Sequence, residues 1–411
     1  MTESENIKKV VIRHLDRVLP KNWWTCIKDC RSSANRKWHW GYILEVLMAG
    51  ALSGCKNLRE IETLSEVYEA RIPDTTLHDL LIKMDPEGLQ AVLAAGVKQA
   101  LREHELPKEE FPVRVTAIDG KYNYSTATPV NQYSEAIGGG GNNELYRHLA
   151  LRAVYVSSDT KLYLGQHEIL SKGSETENLI PFIIRLLTDY GRTDLLEVIS
   201  IDAGMVSKKN AAEIVGLMLD YIMALKGSQP RLFSIAEEMF QLVSPTLVTK
   251  ELYNGKQVTR TLFRAVPETT IKEWEHLQEI WKIQTITEDS KSGKIIEEVR
   301  YFMTSLAPSV LSNSQVLEAI RMHWGIENNA NWVFDVLWQE DTAPWTSRAM
   351  KFVAYLRMMA FNIIQRLKTR RLKAERNRAL GWKDLFCFFE HALCAFRTLT
   401  EALGTAVPAL L

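Results

Sequence analysis

Apolar residues recur every three to four positions through the first hundred residues, the spacing that gives a helix one buried face. "HWGYILEVLMAGALSG" predicts a helix that Gly54 stops. "NLREIETLSEVYE" predicts a second, and after a proline break "DTTLHDLLIKM" predicts a third, with Asp74 placed to cap it. Two short helices joined by a break suit a helix-turn-helix DNA reader and suit two packed helices of a bundle equally.

At residue 113 the period changes. "VRVTAIDG" is a β-branched run ending on an acid, and "LALRAVYVSS" and "LYLGQHEIL" are two further strands divided by the turn "SSDT". Helical spacing returns in "ETENLIPFIIRLLTDY", then a strand "LLEVISIDAG" again ends on an acid. A helix capped by Ser207 and a fifth strand, "YIMALKG", follow. Three strands, helix, strand, helix, strand is the ribonuclease-H-like order, a meander leading into right-handed parallel crossovers. Beyond it, the Asn-Gly and Ser-Gly turns in "TLVTKELYNGKQVTRTLFRAV" and "WKIQTITEDSKSGKIIEEVRYFMTSL" predict hairpins, and "SNSQVLEAIRMHWGIENNANW" is helical. The fold class expected is α/β: a ribonuclease-H-like catalytic core at 111–229 and 306–345 with a β-rich insertion at 230–305. A helical N-terminal region, 1–110, is a candidate DNA-binding domain, and 346–411 forms a basic helical C-terminal region.

Composition narrows the picture modestly. The 411 residues are 46% hydrophobic and 24% charged, the balance of a folded protein rather than a disordered one. No apolar run approaches the roughly 18 residues of a membrane span. The start, "MTESENIKKVVIRHL", lacks a signal peptide's apolar core, so a cytoplasmic location is expected. Five cysteines without a zinc-type spacing read as buried free thiols. "GGGG" at 138–141 lacks the lysine of a phosphate-cradling loop and reads as a loop tip. Net charge is zero, yet cations crowd between Arg348 and Lys383, among them Arg366, Lys368, Arg370 and Arg371, against Glu375 alone. Such a stripe either attracts phosphate or is a solvated helix face.

The candidate chemistry lies in acids. Asp119 and Asp202 end strands that neighbour each other in the expected sheet, so their carboxylates emerge at one edge. A third acid comes from the late helix, where the apolar line Leu317, Ile320, Trp324 continues to Glu327 and Asn331. Glu327 therefore falls on the buried side, where a carboxylate costs several kcal/mol unless paired or bound to metal. Three carboxylates suit two hard cations, Mg²⁺ or Mn²⁺, one activating a water or 3′-hydroxyl and the other stabilising the departing 3′ oxygen.

At these residues the chain resembles bacterial insertion-sequence transposases of the Asp-Asp-Glu (DDE) type, and most of all the branch that includes the H-repeat-associated proteins. The similar pieces are "AIDGK", "GQHEILSKGSETE", "SIDAGMVSKKNAAEI", "YIMALKGSQ" and "HWGIENNANWVFDVLWQED", with "ILEVLMAGALSGCKNLREIE" in the helical region before them. The resemblance implies a catalytic and metal-binding triad of Asp119, Asp202 and Glu327. It implies two Mg²⁺ ions (Mn²⁺ as a substitute), strand cleavage and strand transfer at insertion-sequence ends, and a β-strand insertion before the glutamate. The partners it implies are double-stranded DNA, as terminal inverted repeats and target, held by a homodimer without a membrane, in a bacterial cytoplasm at the nucleoid. Arg321, His323 and Asn328 then surround the glutamate to hold a DNA end, and Lys121 and Lys226 contact phosphate. Three positions depart from the family pattern: Tyr124 stands for an arginine, Ser228 for an asparagine and Asn331 for a histidine. The alternative is a domesticated, transposase-derived DNA-binding protein without transposition activity. A one-metal hydrolase built on His323 and Glu327 lacks the HExxH order.

Overall fold

The helical spacing at the start of the chain becomes α1 (Glu3–Val18), α2 (Trp40–Leu52), α3 (Leu58–Tyr68), α4 (Asp74–Leu81) and α5 (Glu87–Arg102). The structure, a computed structural model, describes residues 3–402 except 20–21, 33–35, 69, 109, 126–134, 138–144, 170–174, 192, 268–270, 272, 341–344 and 373. The glycine run at 138–141 lies outside the described residues. α2 ends where its sequence predicts: Gly54 takes φ 75°, and the Cys55 amide donates back to the Gly50 carbonyl at 2.8 Å. α4 begins differently from expectation. Pro73 holds the cap position without a side-chain hydrogen bond, and Asp74 is the first helical residue. Proline fits there because its fixed φ and missing N–H cost nothing just before a helix.

The strands follow the meander-and-crossover order. β1 (Val115–Ser125), β2 (Glu135–Ile137), β3 (Leu145–Tyr155) and β4 (Leu162–Glu168) precede α6 (Glu175–Tyr190), β5 (Val198–Ile201), α7 (Lys208–Gly216) and β6 (Asp220–Leu225). After α8 (Pro230–Met239) come β7 (Leu247–Tyr253), β8 (Lys256–Ala265), β9 (Glu279–Asp289) and β10 (Ile295–Thr304). The sheet runs β2-β3-β1-β5-β6-β10-β9-β8-β7, with β4 also paired to β3. β5 lies parallel to both β1 and β6. The hairpin signals hold, with Asn254 and Gly255 at φ 50° and 74° in the turn between β7 and β8. These hairpins are not a separate layer: β10 pairs with β6, so they extend the same sheet.

The chain closes with α9 (Asn313–Gly325), two π-helical segments (Ile326–Asn331 and Val333–Leu337), α10 (Ser347–Arg366), a third π segment (Leu367–Arg371), α11 (Glu375–Arg378) and α12 (Trp382–Ala402). Side chains alternate across β1 as a strand requires. Val115 and Ala117 join the core under α9 and α10, whereas Ile118 joins the core under α6 and α7. α10 packs on α2, α5 and β4, and α12 packs on α1, α2 and α3. The two ends of the chain therefore form one helical layer.

That layer removes Arg366 from the basic stripe as an open face, while Lys368, Arg370 and Arg371 stay partly exposed. From Ala349 to Arg366 α10 is almost wholly buried. Arg366 is 3% exposed and bonds Glu105 at 2.5 Å, Arg370 bonds Glu110 at 2.7 Å, and Arg371 reaches Glu103 and Glu105. Lys368 is half-buried, and burial lowers its ammonium's pKa. Their partner acids lie over 250 residues earlier, where a count of local charge does not find them. A buried cation such as Arg366, satisfied by its acid partners, has little left for a phosphate.

α1 is locked to this layer by His14, buried with its Nε2 2.8 Å from the Ile363 carbonyl. Burial above all, with Arg366, Arg371 and Arg17 adding to it against the pull of the hydrogen bond, pushes its pKa down to about 3. The unfolded chain protonates this imidazole near 6.5, so between those pH values the unfolded state holds the extra proton and acid weakens the fold. Wild type should lose about 2 kcal/mol through this group between pH 6.5 and 4.5, and we expect His14→Gln, which keeps a donor to Ile363, to abolish that loss. Urea unfolding of both proteins at the two pH values checks this; parallel losses contradict it.

Candidate active site

β1 and β5 lie side by side with Ile118 opposite Ile201. The next residue on each is an acid. Asp119 and Asp202 thus stand level on neighbouring chains and face the same side of the sheet. β5 ends at Ile201, and Asp202 opens a short 3₁₀ turn, Ala203–Met205. Asp119 does not end its strand as its sequence suggests: β1 runs on to Ser125 along β3.

Alternation carries Ser200 to the same face as Asp202, and α9 packs over it through His323, whose Nδ1 lies 3.1 Å from the Ser200 hydroxyl. Glu327 follows one turn later, in the first π segment. Its side chain is exposed rather than buried, a correction to the apolar line drawn through Trp324. Ile326, Ala330, Val333 and Phe334 are the residues buried here. The widening from α to π after Gly325 shifts the phase that uniform helical spacing predicts.

A fourth acid completes the group. Glu175 begins α6, and its carboxylate rests against Gly120, where any Cβ would overlap it. A Cβ on Gly204 would stand 3.6 Å from the same carboxylate. Mutual repulsion is felt across the cluster. Burial first, then the charge of Glu327, then those of Glu175 and Asp202 push the Asp119 pKa up to about 7. Burial and the charge of Asp202 raise Glu175 as well.

The surroundings hold Asp119 in place. The Asn331 amide donates to Asp119 Oδ2 at 3.4 Å, and the buried Tyr163 hydroxyl donates to Asn331 Oδ1 at 3.0 Å. The asparagine that departs from the family pattern is thus a positioning group. Opposite Asp119 on β3, Arg152 is fully buried and forks onto Glu340 at 2.7 and 2.8 Å, with its guanidinium 4.7 Å from the Phe334 ring. Burial, the largest single effect, raises the Glu340 pKa, but the charge and hydrogen bonds of Arg152 together with the charges of Arg357 and Lys121 outweigh it and hold the carboxyl below the usual range.

The residues expected to touch DNA separate into two groups. Lys226 and Arg321 are exposed, Lys226 lying 3.5 Å from Asp202 and Arg321 3.2 Å from Glu251. Lys121 is buried and paired with Asp335, and His323 is 6% exposed with its pKa down to about 4, chiefly through burial. Those two cannot meet a phosphate as they stand, and Arg366 shares their position. With His323 turned into the core and Glu327 out to solvent, a zinc site shared by the pair has no basis. The side chain of Asn328 falls outside the described residues. Glu175, Arg152 and Glu340 were not singled out from sequence as site residues; an acid opening the helix that follows the meander was the available signal for Glu175.

Acids gathered where the parallel pairing of β1 with β5 ends, under a helix that delivers another, define an α/β protein with a carboxylate centre. Residues 114–363 match the family described as "Transposase DDE domain", and the chain belongs to that family of bacterial DDE transposases. It is 24% identical over 367 residues to the "Putative transposase YncI" of Escherichia coli O157:H7, covering 83% of this chain and 86% of that one. It is 27% identical over 218 residues to the "H repeat-associated putative transposase YhhI" of Escherichia coli K12, covering 49% of this chain and 55% of that protein. A piggyBac transposase synaptic complex with hairpin DNA is similar at 11% identity and a TM-score of 0.45, covering 100% of this chain and 83% of that one.

The raised Asp119 pKa makes a prediction for protein kept in chelator. Between about 4 and 7 the native state holds the proton that the unfolded state has lost, so stability falls as pH rises through that window. Asp119→Asn lacks this penalty, and its stability relative to wild type should climb by a few kcal/mol from pH 4 to 8. Denaturant unfolding in EDTA reads the difference; curves that stay parallel contradict it.

Proposed function

We propose that this protein is a DDE transposase that cuts and joins DNA strands at insertion-sequence ends, with Asp119, Asp202 and Glu327 as its catalytic acids on a ribonuclease-H-like core. The observation that carries the proposal is the level placement of Asp119 and Asp202 on adjacent parallel strands with Glu327 delivered from the helix above. The meander of β3, β1 and β4 beside parallel β5 and β6 supports the fold reading.

The donor set suits hard cations. It is made of carboxylate oxygens, and the one imidazole close by is engaged with Ser200. Among the described residues no three His, Cys, Asp or Glu side chains converge on one ion-sized point. Asp119, Asp202 and Glu327 would hold Mg²⁺ or Mn²⁺. When bound, such ions supply an activated oxygen nucleophile and charge stabilisation for the leaving oxygen. The chain's own residues set the geometry: Asn331 and Tyr163 orient Asp119, Ser200 and His323 seat α9, and Lys226 offers an exposed cation beside Asp202 for a DNA phosphate. In the reaction, water oxygen bonds to phosphorus as the bond to the 3′ oxygen breaks, giving a 3′-hydroxyl and a 5′-phosphate. That 3′-hydroxyl then attacks a target phosphodiester in the same manner.

Glu327→Gln keeps the shape of the side chain and removes its charge. With DNA carrying the element's ends and Mg²⁺ or Mn²⁺, strand cleavage should fall by about 100-fold or more while end binding is kept. Wild-type protein that binds the ends and cuts them with neither metal would instead favour a domesticated DNA-binding protein.

A further inference from the structure

We propose that Arg147 grips a phosphate of bound DNA from the ribbon that β1 and β3 form beyond the acids, at the position in register with Tyr124. The inference rests on the DNA-cutting reading above and adds to it a contact outside the acid centre.

The ribbon projects because its strands outlast their neighbour. β5 ends at Ile201, level with Ile118, whereas β1 runs on to Ser125 with β3 paired beside it from Tyr146. The six residues after Asp119 carry the ribbon about 20 Å further, at about 3.3 Å each. DNA seated on the acids has this projection against its flank.

Cations are scarce along it. Between Asp119 and Leu149 the sequence holds one lysine and one arginine. Lys121 is buried and paired with Asp335. Arg147 belongs to the opposite face of the sheet, with Tyr122, and is half-buried. Its guanidinium lies over the Tyr122 ring, 4.2 Å from the centre. A guanidinium stacked on an aromatic face is already oriented, and the rim of its planar fork stays available to a phosphate.

Register accounts for an arginine at 147. Position 124 is the first of the three departures from the family pattern, with Tyr124 in place of an arginine, and the strands pair Tyr124 directly with Arg147. Directly opposite positions of an antiparallel pair share a face and stand about 5 Å apart. Arg147 thus returns a guanidinium to the same face, one strand over. On its other flank β2 sets Glu135 in register with it, an acid with which a phosphate competes for the same N–H groups. Position 124 lies five residues past Asp119, about 16 Å along the strand. The phosphate that Arg147 meets is therefore several base steps from the one cut, and its role is to bind.

The test is equilibrium binding of the full-length protein to two duplexes, one carrying the element's ends and one of unrelated sequence, across a salt series. Arg147→Gln keeps a polar stem over Tyr122 and removes the charge. It should weaken both duplexes about tenfold and flatten the slope of log affinity against log salt by about 0.9. A merely structural role does not move that slope. The double variant Tyr124→Arg with Arg147→Tyr should recover both affinity and slope, and Glu135→Gln should bind at least as tightly as wild type. If Arg147→Gln fails to fold, Arg147→Lys keeps the charge without the fork and should lose affinity while keeping the slope. Unchanged affinity and slope in Arg147→Gln overturn the inference and leave the DNA-cutting reading standing. A loss confined to the end duplex overturns it too, since that marks a base contact. So does a loss in Glu135→Gln equal to that in Arg147→Gln, which makes the pair a brace of the ribbon. If wild type binds neither duplex, the DNA-cutting reading fails and this inference with it.

Discussion

Carboxylates held near one another repel, and the surrounding fold must oppose that repulsion. Here Asp119 shows the effect most plainly, with its pKa pushed up to about 7 by burial and then by Glu327, Glu175 and Asp202. A shift of this size corresponds to about 4 kcal/mol against the ionised state. A domain of ordinary stability has only about 5–15 kcal/mol to spend on all such strains. Much of the architecture around the site is intelligible as the means of holding these charges still.

Three devices do so. The parallel pairing of β1 with β5 fixes the two aspartates level, since a slip of one residue would turn one of them to the opposite face. The Tyr163–Asn331–Asp119 chain supplies hydrogen bonds to Asp119 from the segment that also carries Glu327. Buried ion pairs then tie the site to the layers around it: Arg152 with Glu340, and Lys121 with Asp335. Such pairs contribute little net stability, but removing one partner leaves an uncompensated buried charge and typically costs about 3–5 kcal/mol. They tie β1 and β3 to the segment that carries Glu327, and so fix where the third acid can stand.

Much of this was legible in the sequence. The strands that carry the two aspartates, the meander-then-crossover order and the hairpin turns all depend on local periodicity and turn chemistry, which a single sequence displays directly. The expected placement of Glu327 on a buried face failed because uniform helical spacing cannot anticipate a π-helical widening after Gly325. The pairing of the basic stripe was hidden for a different reason. Arg366, Arg370 and Arg371 look unopposed along the chain, and their partners Glu103, Glu105 and Glu110 become neighbours only when α10 packs beside α5. Glu175 was hidden by the same limit, since its approach depends on the absence of side chains at Gly120 and Gly204.

The central claim is that these acids form one cation-binding centre. Fe²⁺ substituted for Mg²⁺, with ascorbate and peroxide, generates hydroxyl radicals that cut the polypeptide only near the bound ion. The account predicts backbone cuts close to Asp119, Asp202 and Glu327 in the DNA-free protein, suppressed by excess Mg²⁺. Cuts confined to other segments, or cuts at these positions that Mg²⁺ leaves unchanged, would contradict it.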